Sequence, residues 1–276
     1  MTTLTYAIGD IHGRLDLLTE LLGLIEADAV AHRADAKVVF TGDYVDRGPA
    51  SFGVVERIMA GPSRPQDRFV CLRGNHDHLF AQAVTTGDDV PDWAWMLFWY
   101  TIQSYGATPE TVATNSGLRR HAAYLAALPL THDDGTNLFV HAGIRPGVKL
   151  EDQLDHDLIW IREEFLTHAL PLPRRVVHGH TIMGIAPVIS PYRVSIDTGA
   201  YRTGVLTAAV IDDVAVRVLQ AIGQPDRGAI VREAILAARM AGRSITPSTQ
   251  RAFDEYLAGR IDAEEMSERA SLASAA

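Results

Sequence analysis

The sequence predicts an α/β fold with largely parallel strands in its first half. Three times in succession a short apolar or β-branched run gives way to a turn rich in glycine, aspartate and histidine, and then to a stretch of helical periodicity. The turns directly follow the apolar runs, so parallel pairing would line them up along one sheet edge, at the strands' carboxyl ends. At 276 residues the chain can also bury one sizeable core and still carry an appendage.

The first unit pairs the run Leu4 to Ile8 with the turn "GDIHG"; Leu15, Leu18, Leu21, Leu22 and Ile25 then recur at helical spacing. In the second, Val38 to Phe40 lead into "TGDYVDRGP", followed by Val54, Val55, Ile58 and Met59. The third runs from Phe69 to Leu72 into "RGNHD" and another apolar stretch. Trp93, Trp95, Phe98, Trp99 and Tyr100 form an aromatic-rich helical stretch, read as the outer wall of a core. Three later runs end in polar clusters, "NLFVHAG", "RVVHGHT" and "RVSIDTGA", with no long helix between the last two, so this half is expected to be richer in antiparallel strands. "GVLTAAVIDDVAVRVLQA" reads as a hairpin turning near Asp212 and Asp213.

After about Gln220 the chain becomes helical and loses its histidines, which sets expected domains of 1–220 and 221–276. Thr246 is placed as an N-cap, Pro247 at the first helical position and Gly259 just past the end. Asp262 to Glu265 read as a capping box for a last short helix, and "SLASAA" as a frayed end.

The formal charge of −9 argues against nucleic acid or an anionic membrane as principal partner, so an anionic substrate needs a local positive site. The single cysteine, Cys71, sits in an apolar run and reads as a structural thiol in a reducing compartment. With no leader-like start and no long uninterrupted apolar run, the expected location is cytoplasmic.

Each polar turn alone is a modest signal, but together they concentrate carboxylate, imidazole and amide donors on tight loops. Hard or borderline divalent metals take such donors, and no cysteine set competes. "GDIHG", "GDYVDRG", "RGNHD", "HAG" and "GHT", in this order, resemble the signature of the phosphoprotein phosphatase family of binuclear metallophosphoesterases. "HAGIRPG", "IWIREEF", "VVHGHT" and "DTGA" are most similar to its bacterial and bacteriophage branch. The resemblance implies a calcineurin-like four-layer α/β/β/α sandwich with two mixed sheets, here with a short C-terminal helical segment added. It further implies two divalent ions, manganese favoured and iron or zinc admitted.

Carried over by position, the resemblance makes Asp10, His12 and Asp43 ligands of one ion, with Asp43 bridging to a second held by Asn75, His141 and His180. His180 is preferred to His178 because it follows Gly179 and precedes Thr181, as the family's ligand does. Arg47 and Arg162 match the family's phosphate-binding arginines, a guanidinium fork suiting two phosphoryl oxygens. His76 matches the general acid and Asp46 its orienting carboxylate, with a hydroxide bridging two ions about 3.5–4 Å apart as attacking group. Arg73, Asp77 and His78 are assigned to supporting or packing roles, Asp77 departing from the family's usual glutamate; Asp197 and Tyr201 receive no defined task.

The implied activity is metal-dependent hydrolysis of phosphate monoesters, with phosphoserine and phosphothreonine in proteins or peptides as leading substrates. A rival within the same chemistry is hydrolysis of dinucleoside polyphosphates, a branch that shares "GDxHG" and "GNHD" but usually lacks the acid present here as Asp46. A non-enzymatic phospholigand-binding regulator would be expected to have lost ligands, and none is lost. The tail "ITPSTQRAFDEYLAGRIDAEEM" resembles small helical antitoxin modules that accompany Fic-type toxins, which would make it a protein-interaction element; a plain packing unit is the competing reading.

Overall fold

The structure, a computed structural model, describes residues 2–86, 92–108, 110–212 and 215–273. The chain divides into two compact units, 1–224 and 225–276. The first reaches past the expected residue 220 because its last strand runs to Ile222.

The first unit opens with β1 (Thr2–Ile8), α1 (Leu15–Ala31), β2 (Ala34–Phe40), α2 (Ser51–Met59), β3 (Arg68–Cys71) and α3 (Asn75–Thr85). Helices α4 (Asp92–Ser104) and α5 (Ser116–Ala126) follow, then β4 (Thr131–Asp133), β5 (Asn137–Val140), α6 (Asp155–Trp160), α7 (Glu163–Leu166), β6 (Arg175–His178), β7 (Val188–Ile189) and β8 (Arg193–Ser195). A short α8 (Ala200–Thr203) leads into the hairpin of β9 (Val205–Ile211) and β10 (Val216–Ile222). The hairpin forms as expected; Asp213, named for its turn, lies outside the described residues.

One five-stranded sheet has the order β10-β9-β1-β2-β3, with β1, β2 and β3 parallel, as the three repeated units require. The other has the order β4-β5-β6-β8-β7. Here the expectation of antiparallel strands holds only at the edges: β5, β6 and β8 are parallel, and β4 and β7 pair antiparallel to them. The reason lies in the connections. The segment between β5 and β6 carries α6 and α7, enough chain for a crossover, and the chain returns from β6 to β8 through the two-residue β7.

Strand alternation assigns the layers. In β1 and β2, Tyr6, Ile8, Val38 and Phe40 face helices α1 to α5, whereas Ala7 and Val39 face the other sheet and meet Phe139, Val177, Val194 and Ile196. A third cluster packs Leu138, Val140 and Val176 against Leu158 and Phe165 of α6 and α7. The result is an α/β/β/α sandwich, as the resemblance implies, whose inner strands, buried on both faces, read in sequence as continuous apolar runs. Of the aromatic stretch on α4, Phe98 lies in the helix-side core and Trp99 is exposed; the rings of Trp93 and Trp95 lie outside the described residues. Cys71 is half-buried, and burial pushes its thiol up to about 11, so it stays protonated at neutral pH. Among the described residues no helix is long and apolar enough to cross a membrane.

The second unit contains α9 (Arg227–Met240), α10 (Pro247–Leu257) and α11 (Ala263–Ala273) around Val231, Ala252, Phe253, Tyr256, Ile261 and Met266. Thr246 Oγ1 caps α10 by accepting from the Thr249 N–H at 3.1 Å, Pro247 opens the helix, and Gly259 follows its end with φ of 74°. Asp262 Oδ1 caps α11 by accepting from the Glu265 N–H at 2.9 Å; α11 continues to Ala273, through part of the segment read as frayed, and residues 274–276 lie outside the described residues.

Candidate metal centre and proton relay

Every expected ligand sits just past the carboxyl end of a parallel strand. Asp10 and His12 follow β1, Asp43 follows β2, Asn75 follows β3, His141 follows β5 and His180 follows β6. The sheets face each other, so these five strand ends converge on one buried cluster, in which none of the six residues is more than 7% exposed. Glycines allow the approach. A Cβ at Gly74 would collide with the Asp43 carboxylate, and one at Gly179 with that of Asp10.

Two groups of ligand atoms lie within 4.8 Å of one another, Asp10 with Asp43 and His141, and His12 with Asp43 and His76; Asp43 is common to both. Hydrogen bonds fix which ring nitrogens face inward. His12 Nδ1–H donates to the Val45 carbonyl at 2.8 Å and His141 Nδ1–H to the Thr41 carbonyl at 2.9 Å. Burial holds His12 well below the usual imidazole range and His141 down to about 3, so both rings are neutral. Their Nε2 lone pairs therefore point at Asp43, 3.4 Å from Oδ2 and 3.5 Å from Oδ1 respectively. Asn75 Oδ1 lies 2.8 Å from His141 Nε2 and 3.0 Å from His180 Nδ1.

Lone pairs and carboxylate oxygens thus converge on one another. Burial, followed by the neighbouring carboxylates of Asp197 and Asp43, pushes Asp10 well up; burial and Asp77 do the same to Asp43. Such an array of oxygen and imidazole acceptors is what divalent cations require, and it fits them. Bound there, the ions would supply positive charge to polarise a phosphoryl group and acidify water.

His76 shares the second group, but its ring Nδ1 is committed to Asp46 Oδ2 at 2.7 Å; its backbone N–H donates to Asp43 Oδ1 at 3.0 Å. Asp46 is fully buried, which pushes its carboxyl up to about 7, while a bond from the Thr101 hydroxyl and the Arg47 charge pull the other way. Arg47 Nη1 donates to the Tyr201 hydroxyl at 2.6 Å and its guanidinium lies 4.6 Å from that ring's centre. Tyr201 also meets the His12 ring edge-on at 5.4 Å, so it links the arginine to the ligand cluster. Arg162 is exposed, donating to Thr181 Oγ1 at 3.0 Å beside His180.

His178 is turned away from the ligands. Its Nε2 meets Ser195 Oγ at 2.7 Å and its Nδ1 the Gly179 carbonyl at 3.0 Å. Asp77 accepts three backbone N–H groups, from Asp43, Tyr44 and Gly74, and so ties the β2 and β3 loops together. Asp197 lies against Asp10, and burial pushes it up to about 6. Sequence reasoning gave Tyr201 no task and missed Thr101 altogether. The faint signal for Thr101 was a hydroxyl among the aromatic and aliphatic residues of "MLFWYTI".

Residues 4–202 match the family described as Calcineurin-like phosphoesterase, and residues 227–271 the family described as Antitoxin VbhA. A protein of Neisseria meningitidis (serogroup A, strain Z2491) named a symmetrical bis(5'-nucleosyl)-tetraphosphatase is 34% identical over 141 residues, 51% of this chain and 44% of that protein, so the match spans less than half of it. An asymmetrical bis(5'-nucleosyl)-tetraphosphatase of Anoxybacillus flavithermus is 31% identical over 231 residues, 73% of this chain and 87% of that protein. The crystal structure of a hypothetical protein from Pyrococcus horikoshii OT3 shares the fold, with a TM-score of 0.55 at 15% identity over 94% of this chain and 98% of the other.

Proposed function

Since the chain belongs to the calcineurin-like phosphoesterase family, we propose that it is a metal-dependent hydrolase that cleaves dinucleoside polyphosphates of the bis(5'-nucleosyl) tetraphosphate class. The observation that carries the substrate class is the Anoxybacillus relative, matched over 87% of its length and named for that activity. The site supports it physically: a chain of net charge −9 places Arg47 and Arg162 beside a cluster suited to two cations, a local positive field for a polyanion. This replaces phosphoserine and phosphothreonine as the leading substrates.

In the reaction, Arg47, held by Tyr201, and Arg162, held by Thr181, would bind phosphoryl oxygens. Asp10, His12, Asp43, Asn75, His141 and His180 would hold the ions. His76 would give a proton to the departing oxygen, its ring oriented by Asp46. The test is incubation of the manganese-supplemented protein with diadenosine tetraphosphate, followed by anion-exchange chromatography. Two nucleoside diphosphates would mark symmetrical cleavage, and a triphosphate with a monophosphate asymmetrical cleavage. Absence of either, with phosphate released from a phosphopeptide, would overturn the proposal.

The retained Asp46–His76 pair favours a second reading, phosphoserine or phosphothreonine hydrolysis, because an alkoxide leaves poorly without a proton whereas a nucleotide phosphate does not need one. Comparing kcat/KM on the two substrates separates the readings. For residues 225–276 we propose a protein-interaction role, supported by the match to a family named for antitoxins. Deleting them with no change in stability or solution complexes would remove that role.

A further inference from the structure

Asp46 and Arg47 both hold left-handed backbone, with φ of 70° and 66°, on the loop that carries the orienting carboxylate and a phosphate-binding arginine. Such a loop keeps its shape only where its surroundings over-determine it. Besides Ser51 of α2, the contacts that do so come from Thr101 of α4, outside every motif identified in the sequence. Thr101, fully buried in the last turns of that helix, grips Asp46 at two points. Its Oγ1 donates to Asp46 Oδ1 at 2.7 Å and accepts from the Asp46 N–H at 2.9 Å. Ser51 Oγ lies 3.2 Å from the same hydroxyl and 3.1 Å from the same N–H. Three residues on, Ser104 Oγ accepts from the Phe52 N–H at 3.0 Å, so the end of α4 also holds the start of α2.

The stereochemistry of this clamp is specific. A threonine hydroxyl has one proton, and here it goes to Asp46 Oδ1. With Oδ1 and the backbone N–H both fastened to one atom, the carboxylate cannot rotate about its own axis, and Oδ2 stays directed at His76 Nδ1, 2.7 Å away. We propose that Thr101 is a positioning residue for proton delivery: by fixing Asp46 it fixes the ring of His76 in the orientation in which Nδ1–H faces Asp46 and the Nε2–H of the protonated ring faces the leaving oxygen.

The proposal rests on the reading of His76 as the proton donor. In the hydrolysis the oxygen of water bonds to phosphorus and the bond from phosphorus to the leaving oxygen breaks. The electron pair of that bond stays on the leaving oxygen, which takes the proton from His76; the proton lost by the attacking water restores the imidazolium. A mispositioned donor matters little when the departing oxygen is weakly basic and matters more as its basicity rises.

The test is a series of aryl and alkyl phosphate monoesters of rising leaving-group pKa, from 4-nitrophenyl through phenyl to alkyl, on manganese-loaded wild type, Thr101→Val, Thr101→Ser and His76→Ala. Valine keeps the shape and removes the hydroxyl, whereas serine keeps the hydroxyl. General acid catalysis contributes about 10²–10⁴-fold; loss of orientation should forfeit part of that. Thr101→Val should therefore lose kcat by less than about 3-fold on the 4-nitrophenyl ester and by about 10–100-fold on the alkyl ester. KM and manganese binding by calorimetry should be unchanged, and Thr101→Ser should recover most of the loss. A uniform loss across the series, or equal impairment of the serine and valine variants, would overturn the proposal. If His76→Ala also gives a flat series, it is the reading of His76 that fails; a steep series for His76→Ala with a flat one for Thr101→Val defeats the role of Thr101 alone. Should Thr101→Val not fold, Thr101→Ala removes the same hydroxyl and carries the same expectation.

Discussion

Replacing Asp77 by alanine should destabilise this protein strongly. The side chain is fully buried, and its Oδ2 accepts from the Asp43 N–H at 2.7 Å and the Gly74 N–H at 3.0 Å, while Oδ1 accepts from the Tyr44 N–H at 2.9 Å. Each buried N–H left without a partner costs about 1–3 kcal/mol, so three give a gross loss of about 3–9 kcal/mol. Water entering the vacated space and relief of a buried charge, whose carboxyl burial pushes up to about 6, reduce the expectation to about 3–5 kcal/mol. That is a large share of the roughly 5–15 kcal/mol that holds a domain folded. Asp77→Asn can keep its oxygen on the two Oδ2 partners but turns an amide N–H2 toward the Tyr44 N–H, and should cost about 1–3 kcal/mol. Urea unfolding at pH 7 with manganese present, with the m-value checked for constancy, measures both. A loss below about 1 kcal/mol for Asp77→Ala would refute the view that this carboxylate holds the two ligand loops together.

Three further outcomes follow from the same geometry. Asn75→Ala should weaken manganese binding, because Asn75 Oδ1 faces both His141 and His180, whereas His76→Ala should spare binding and slow turnover; calorimetry and kinetics on the same preparations would show equal metal loss if this division is wrong. The melting temperature should rise with manganese concentration and fall on chelation, by the equivalent of about 4 kcal/mol at a thousandfold excess over Kd if unfolded chain binds none; a melting temperature independent of manganese would exclude folded-state binding at the cluster. The bidentate Arg217 guanidinium, at 2.8 Å on each arm, holds Asp28 below the usual carboxylate range, so the ionised form is the one the fold favours. Its stabilisation is present above the unfolded pKa and lost as pH falls through the lowered one. Asp28→Asn should therefore be about 1–2 kcal/mol less stable than wild type at pH 7, a gap closing below about pH 4 in urea titrations; a constant gap would show the ion pair to be irrelevant.

The first sheet was legible because its information is local. Each of β1, β2 and β3 is followed at once by its turn and helix, and the hydrophobic period changes within a few residues. The second sheet was not. Strands β5, β6 and β8 have three or four residues each, and such a run reads the same whichever way its neighbour points. Their direction is set by the chain between them, where α6 and α7, with six and four residues, are too short to show a helical period. The hairpin of β9 and β10 was visible because two longer runs flank a short polar break.

The site divides along a similar line, and backbone strain explains why. Of the six non-glycine residues described with positive φ, five are expected site residues: His12, Asp43, Asp46, Arg47 and His180. Glycine would adopt this conformation freely, as Gly13 and Gly42 do beside them, but glycine has no donor atom to offer. A position that must both turn left-handed and carry a ligand or a charge accepts strain of about 1 kcal/mol or more. Five such positions on neighbouring loops would relax unless other groups held them. At Asp43 and Asp46 those groups are the Asp77 carboxylate and the Thr101 hydroxyl on the backbone amides, while the Tyr201 hydroxyl holds the Arg47 guanidinium; they reach across 34, 55 and 154 residues of sequence respectively. Ligands on strand-end loops form a local pattern that a sequence can show. The clamps that hold this site carry no pattern of their own, since a threonine in one helix or a tyrosine in another acquires its role only when the fold brings the strained loop to it.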